Sequence, residues 1–156
     1  MPTDFTTISA VAQFDETSCW AAALEWWARA SRRVVIDQLT LISKYEQYWD
    51  SSGDPDTNPN YGTVSRDGLM SIMSEPVWRM RCEEIQGVAL NQRYVNGKLP
   101  CILAYFEREM GGYHAVVACE ASETVLKCMD PAWGGFRNFR YNHFQGKGRL
   151  IVGWSM

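Results

Sequence analysis

The chain has 156 residues, is 46% hydrophobic and carries a net charge of −3. That length sustains a core and predicts a single domain over residues 1–156, and the composition excludes a disordered chain. The charge gives no general attraction to nucleic acid, and no stretch is apolar enough to span a membrane.

The first residues, Met1-Pro2-Thr3-Asp4, lack the basic and apolar regions of a signal peptide. Residues 19–31 read as a helix, capped by Thr17 or Ser18. Alanines at 21, 22, 23, 28 and 30 allow close packing, and Trp20, Leu24 and Trp27 form its apolar side. Asp37 caps a second helix, with Leu39, Ile42 and Trp49 at helical spacing. Residues 50–63, rich in Asp, Asn, Pro and Gly, read as a long exposed loop. Ser65 caps a short helix carrying Leu69, Ile72 and Met73 and ended by Pro76, and residues 88–96 give another, closed by Gly97. Five strands follow at 100–107, 113–119, 124–129, 136–141 and 148–154, all rich in Val, Ile, Phe, Tyr and Leu. Helices first and strands second predict an α+β fold with an antiparallel sheet.

Three side chains along this order carry chemistry. Cys19 starts the Ala-rich helix, where the helix dipole and free backbone N–H groups favour a thiolate. His114 opens a strand and Asp130 closes the next one. Centring the hairpin between them on Ser122 sets His114 directly across from Asp130, with Cβ atoms about 5 Å apart. The carboxylate then fixes the imidazole tautomer and leaves the other ring nitrogen for Cys19. Gln13, six residues before Cys19, is placed to add an amide donor to the Cys19 N–H at a developing oxyanion. The remaining polar candidates read as structural. Cys101, Cys119 and Cys128 lie in apolar runs, Trp20 and Trp133 read as packing residues, and His143 reads as structural or surface. Five cysteines without a signal peptide fit a reducing compartment. The lack of C-x-x-C and the presence of only two histidines predict neither structural zinc nor any cofactor.

These residues resemble the papain-like cysteine peptidases. Gln13 precedes Ser18-Cys19-Trp20-Ala21 by that family's interval, and the cysteine heads the central helix. The second half is similar to compact bacterial branches of the family, bacteriocin-processing peptidases and injected effector proteases, through His114-Ala115-Val116-Val117 and Asp130-Pro131-Ala132-Trp133-Gly134. The resemblance implies that Cys19 is the nucleophile, His114 the base, Asp130 the orienting acid and Gln13 the oxyanion donor. It also offers Trp133 as a water shield for the His–Asp pair. Glu16 stands where plant and lysosomal members have a disulfide cysteine, so their substrate range is not implied.

The resulting expectation is a monomeric cysteine peptidase acting on a protein substrate. Only 12 residues precede Gln13, which leaves no room for an inhibitory pro-domain. A bacterial effector or toxin domain is therefore expected, held in the bacterial cytoplasm by a cognate inhibitor (immunity protein) and delivered into a target cell's cytosol. Neither nucleic acid nor membrane is an expected partner. Three other readings stay open: a glutamine deamidase or transamidase using the same side chains, a leader-peptide processing peptidase, and an inert binding module.

Overall fold

The structure, a computed structural model, describes residues 3–51, 53–54, 56–58, 61–109 and 111–156. Helix α1 (Cys19–Arg32) is its centre. Ala21, Ala22, Ala23, Leu24, Trp26 and Trp27 are all buried, because small alanines on one side let the helix lie close to the sheet while the large rings fill the space around it. The Trp27 indole N–H donates to the Pro100 carbonyl at 3.0 Å and pins α1 to the start of the sheet. The helix ends at Arg33, whose backbone is left-handed at φ 55°.

Helix α2 (Gln38–Lys44) has the expected cap: Asp37 Oδ1 accepts the Thr40 N–H at 2.9 Å. It is shorter than expected. A 3-10 turn at Glu46–Tyr48 breaks the pattern, and Trp49 pairs with Val64 in an isolated β-bridge. Two backbone bonds between Asp50 and residues 62 and 63 close the following loop; positions 52, 55, 59 and 60 of that expected loop lie outside the described residues. Helix α3 (Arg66–Met73) is capped by Ser65, as expected. The expected helix over 88–96 is instead a 3-10 turn at Gly87–Ala89 followed by α4 (Gln92–Val95).

The six-stranded antiparallel sheet runs β1 (Met80–Gln86), β6 (Arg149–Ser155), β2 (Cys101–Glu107), β3 (Gly112–Ala121), β4 (Val125–Asp130), β5 (Gly135–Arg140). The helices α1, α2 and α3 and the apolar core they share cover one face. The 3-10 turn, α4 and α5 (Tyr141–Gln145) cover the other, where Phe144 of α5 packs with Leu103, Val116 and Leu126 of the sheet. Sequence patterning missed β1 and α5. The edge strand β1 carries Arg81, Glu83 and Glu84, which blunt an exposed edge but hide its strand character. The β5 strand ends at Arg140, and the chain turns helical so that Tyr141 and Phe144 share one buried face.

The hairpin register differs from the expected one. The turn is at Glu123-Thr124, and Ser122 flanks it: its Oγ accepts the Val125 N–H at 3.1 Å, and its own N–H donates to Val125 O at 2.9 Å. A β-bulge at Cys119 then shifts the pairing, from Glu120↔Lys127 to Ala118↔Cys128 and Val117↔Met129. Continued one step, that register sets Asp130 across from Val116 rather than His114. His114 and Val116 are two apart and share a face, so the carboxylate approaches the imidazole diagonally.

Candidate active site

The loop before α1 presents Cys19 in an unexpected way. Neither Thr17 nor Ser18 caps the helix. Both hydroxyls are drawn to Asp15 instead. Thr17 Oγ1 donates to Asp15 Oδ1 at 2.8 Å, while Ser18 Oγ accepts the Asp15 N–H at 3.0 Å and donates to Asp15 O at 3.2 Å. A local acceptor outcompetes the helix end. The first N–H groups of α1 therefore have no side-chain acceptor, which leaves the positive end of the dipole facing the site.

Cys19 is buried, and its Sγ–H donates to Tyr113 O at 3.6 Å. With His114 it lines a small cavity also bounded by Trp20, Leu69 and Tyr113. His114 is 5% exposed. Its Nε2 lies 3.0 Å from Asp130 Oδ1, and its Nδ1 is buried without a hydrogen-bond partner, which leaves that nitrogen for Cys19 or a substrate. Burial pulls the His114 pKa down, but the hydrogen bond to Asp130 and the Cys19 side chain beside it outweigh that and push it up to about 9. Burial raises the Asp130 pKa, but His114, the Ala132 N–H and Arg137 together hold it below the ordinary carboxylate value. Burial drives the Cys82 thiol up to about 11, Cys101 and Cys119 up to about 12, and Cys128 well above its ordinary value.

The His–Asp pair makes stability depend on pH. His114 gains proton affinity on folding, so its contribution is complete below about pH 6.5, its reference pKa. That contribution is lost as pH rises through about 9. The Tm advantage of wild type over His114→Gln is expected to shrink steadily across that window. A constant advantage from pH 6 to 9.5 would show that folding leaves the imidazole's proton affinity unchanged.

Gln13 is held against the same site. Its N–H donates to Pro131 O at 3.0 Å, next to Asp130, and its Oε1 is buried without a partner. Sequence reasoning missed the residue that fixes it. Gln38 Nε2 donates to Ala12 O at 2.7 Å and Gln38 Oε1 accepts the Phe14 N–H at 2.8 Å, so one side chain grips both flanks of Gln13. The buried Glu25 in turn accepts the Gln38 N–H at 2.6 Å. Arg137 was also missed. It donates to Asp130 Oδ2 at 3.2 Å. The β4–β5 register makes this legible in retrospect: Asp130 faces Gly135 and Cys128 faces Arg137, so Arg137 and Asp130 share a face.

Trp133 is not a packing residue: it is 68% exposed. The N–H groups of Trp133 and Gly134 both donate to Asp130 O, and this tight turn points the ring outward, where the Arg137 guanidinium lies 5.2 Å from its centre. Trp20 is buried, as expected. The half-buried His143 sits on α5 against Phe139, 3.3 Å from the Tyr105 hydroxyl, and burial lowers its pKa. Among the described residues, no group of three or more His, Cys, Asp or Glu side chains is placed to hold a metal ion. No helix there is long and apolar enough to cross a membrane.

This architecture, a helix headed by a cysteine packed on an antiparallel sheet that presents a paired histidine and aspartate, is the papain-like fold. No protein-family model matches the chain, and no curated protein matches it in sequence. The fold is similar to that of the peptidase domain of Streptococcus ComA, a bifunctional ABC transporter involved in quorum sensing. The TM-score is 0.64 and the identity 14%, covering 96% of this chain and 99% of that one. It is similar also to a double-glycine motif protease from an AMS/PCAT transporter, solved in complex with its leader peptide. There the TM-score is 0.61 and the identity 12%, over 97% and 94% of the two chains.

Proposed function

We propose that the chain is a cysteine peptidase that cleaves a peptide bond in a protein substrate. The observation that carries this reading is His114, 3.0 Å from Asp130 behind it, in one cavity wall with Cys19 at an uncapped helix start. Cys19 thiolate attacks the substrate carbonyl. The Cys19 N–H and the Gln13 amide stabilise the oxyanion, His114 protonates the leaving amine, and water activated by His114 releases the acyl-enzyme. Asp130 holds the imidazole in place and stabilises its cation.

Leader-peptide processing is favoured over the effector reading, because both structural relatives are peptidases of transporter systems and one holds a leader peptide. The small cavity beside Cys19 suits small side chains next to the scissile bond. An apolar groove bounded by Phe14, Leu39, Ile42 and Trp49 adjoins it through Thr17 and suits apolar residues further along the substrate.

The test is a library of leader-like peptides incubated with wild type and Cys19→Ala and read by mass spectrometry. Cys19-dependent chain cleavage supports the reading. A one-dalton gain on glutamine identifies a deamidase instead, and no change in any peptide sinks both. Within this mechanism, Gln38→Ala frees the flanks of Gln13. It is expected to lower kcat by about tenfold to a hundredfold, less than the roughly hundredfold to thousandfold cost of removing an oxyanion donor outright, and to leave the alkylation rate of Cys19 unchanged. Parallel loss of both would place Gln38 in the fold rather than at the oxyanion.

A further inference from the structure

Asp130 has two carboxylate oxygens with different partners. Oδ1 meets His114 Nε2 at 3.0 Å and accepts the Ala132 N–H at 3.0 Å. Oδ2 accepts from Arg137 at 3.2 Å. The carboxylate is 3% exposed at its side chain, while the Arg137 side chain is 45% exposed. A buried anion is thus tied to a half-exposed cation. That cation is itself held by rings: its guanidinium lies 5.2 Å from the centre of Trp133 and 5.0 Å from that of Phe139. This arrangement accounts for an aromatic as exposed as Trp133.

We infer that Arg137 is a positioning residue of the site: by holding the outer oxygen of Asp130 it shares the carboxylate's charge with His114, and so sets how readily the imidazole gives up its proton. The inference rests on the peptidase reading, in which His114 must release a proton to the leaving amine and then take one from water. A buried carboxylate without a second cation holds that proton more tightly. A second cation on the same carboxylate loosens it.

The other groups around His114 do not substitute for Arg137. Cys19 faces it from α1, and Tyr105, whose ring stands edge-on 5.9 Å away, faces it from β2. Behind Tyr105 lie His143 on α5 and Lys147, and Lys147 is paired with Glu107 at 2.7 Å. Burial, with Lys147 nearby, keeps His143 below its ordinary pKa. Among these groups, Arg137 is the cation bonded to Asp130.

The test uses the full chain carrying Cys19→Ala, so that thiol ionisation does not contribute. The chain has two histidines, so NMR titration follows two imidazoles, and His143→Gln assigns them. Arg137→Gln is expected to raise the His114 midpoint by about half a pH unit or more. Arg137→Lys, which keeps the charge, is expected to recover most of that rise. A smaller rise, no change or a fall in the Gln variant overturns the inference, and so does a Lys variant that titrates like the Gln variant. The titration needs no turnover, so its failure leaves the peptidase reading standing, and failure of peptide cleavage leaves the titration result intact.

Discussion

Replacing Cys19 by alanine is expected to abolish peptide cleavage while leaving the fold in place. The chemical argument is that nothing else near His114 can form the acyl intermediate. The other thiols lie elsewhere and burial drives them to high pKa values, and Tyr105, whose ring stands edge-on to the imidazole, has its hydroxyl at His143 and raised well above its ordinary value by burial. The structural argument is that Sγ makes only a weak bond to the backbone, 3.6 Å to a carbonyl, and that the neighbouring His114 is anchored by Asp130, so the loss of Sγ unties no element. Alanine also suits the first turn of a helix already rich in alanine. The measurement is steady-state cleavage of a susceptible peptide, with circular dichroism and Tm as controls. Cleavage by a folded Cys19→Ala protein would remove Cys19 as nucleophile.

The second large effect is on the reactivity of that thiol. An unassisted thiol with a reference pKa of about 8.5 is only about 1% ionised at pH 6.5. Beside Cys19 stands an imidazole that keeps its proton up to about pH 9. A cation in that position favours the thiolate, so Cys19 is expected to alkylate at pH 6.5 about tenfold or more faster in wild type than in His114→Ala. Iodoacetamide labelling followed residue by residue by mass spectrometry reads this without any substrate. The four other cysteines serve as internal controls, because burial suppresses their ionisation. Equal rates in wild type and His114→Ala would mean that the two side chains do not act as a pair.

The parts of this molecule that were legible in the sequence are those with local causes. An Ala-rich run, the caps Asp37 and Ser65, and five runs of β-branched and aromatic residues announce their elements because the driving forces lie within a few residues. The site residues were legible as types in order: a cysteine before a helix, a histidine opening one strand and an aspartate closing the next. Their exact meeting was not. The bulge at Cys119 adds a residue that period-two counting cannot see, and it displaces Asp130 from the position facing His114. Ser18 misled for a related reason: it is a good cap by type, but Asp15, three residues away, claims its hydroxyl. Gln38 and Arg137 were invisible because their partners, Ala12, Phe14 and Asp130, are chosen by tertiary packing or by strand register.

The strand order has a consequence in time. The β6 strand does not sit at an edge; it lies between β1 and β2 and joins two parts of the sheet that have no other pairing. The strands β2 to β5, which carry His114 and Asp130, pair with one another directly, whereas β1 stays apart until β6 (Arg149–Ser155) is inserted. Before that insertion β1 and β2 each leave a strand edge open. Pairing of β6 closes both edges in one step, so a chain in which that strand is displaced presents two edges open to pairing with another copy.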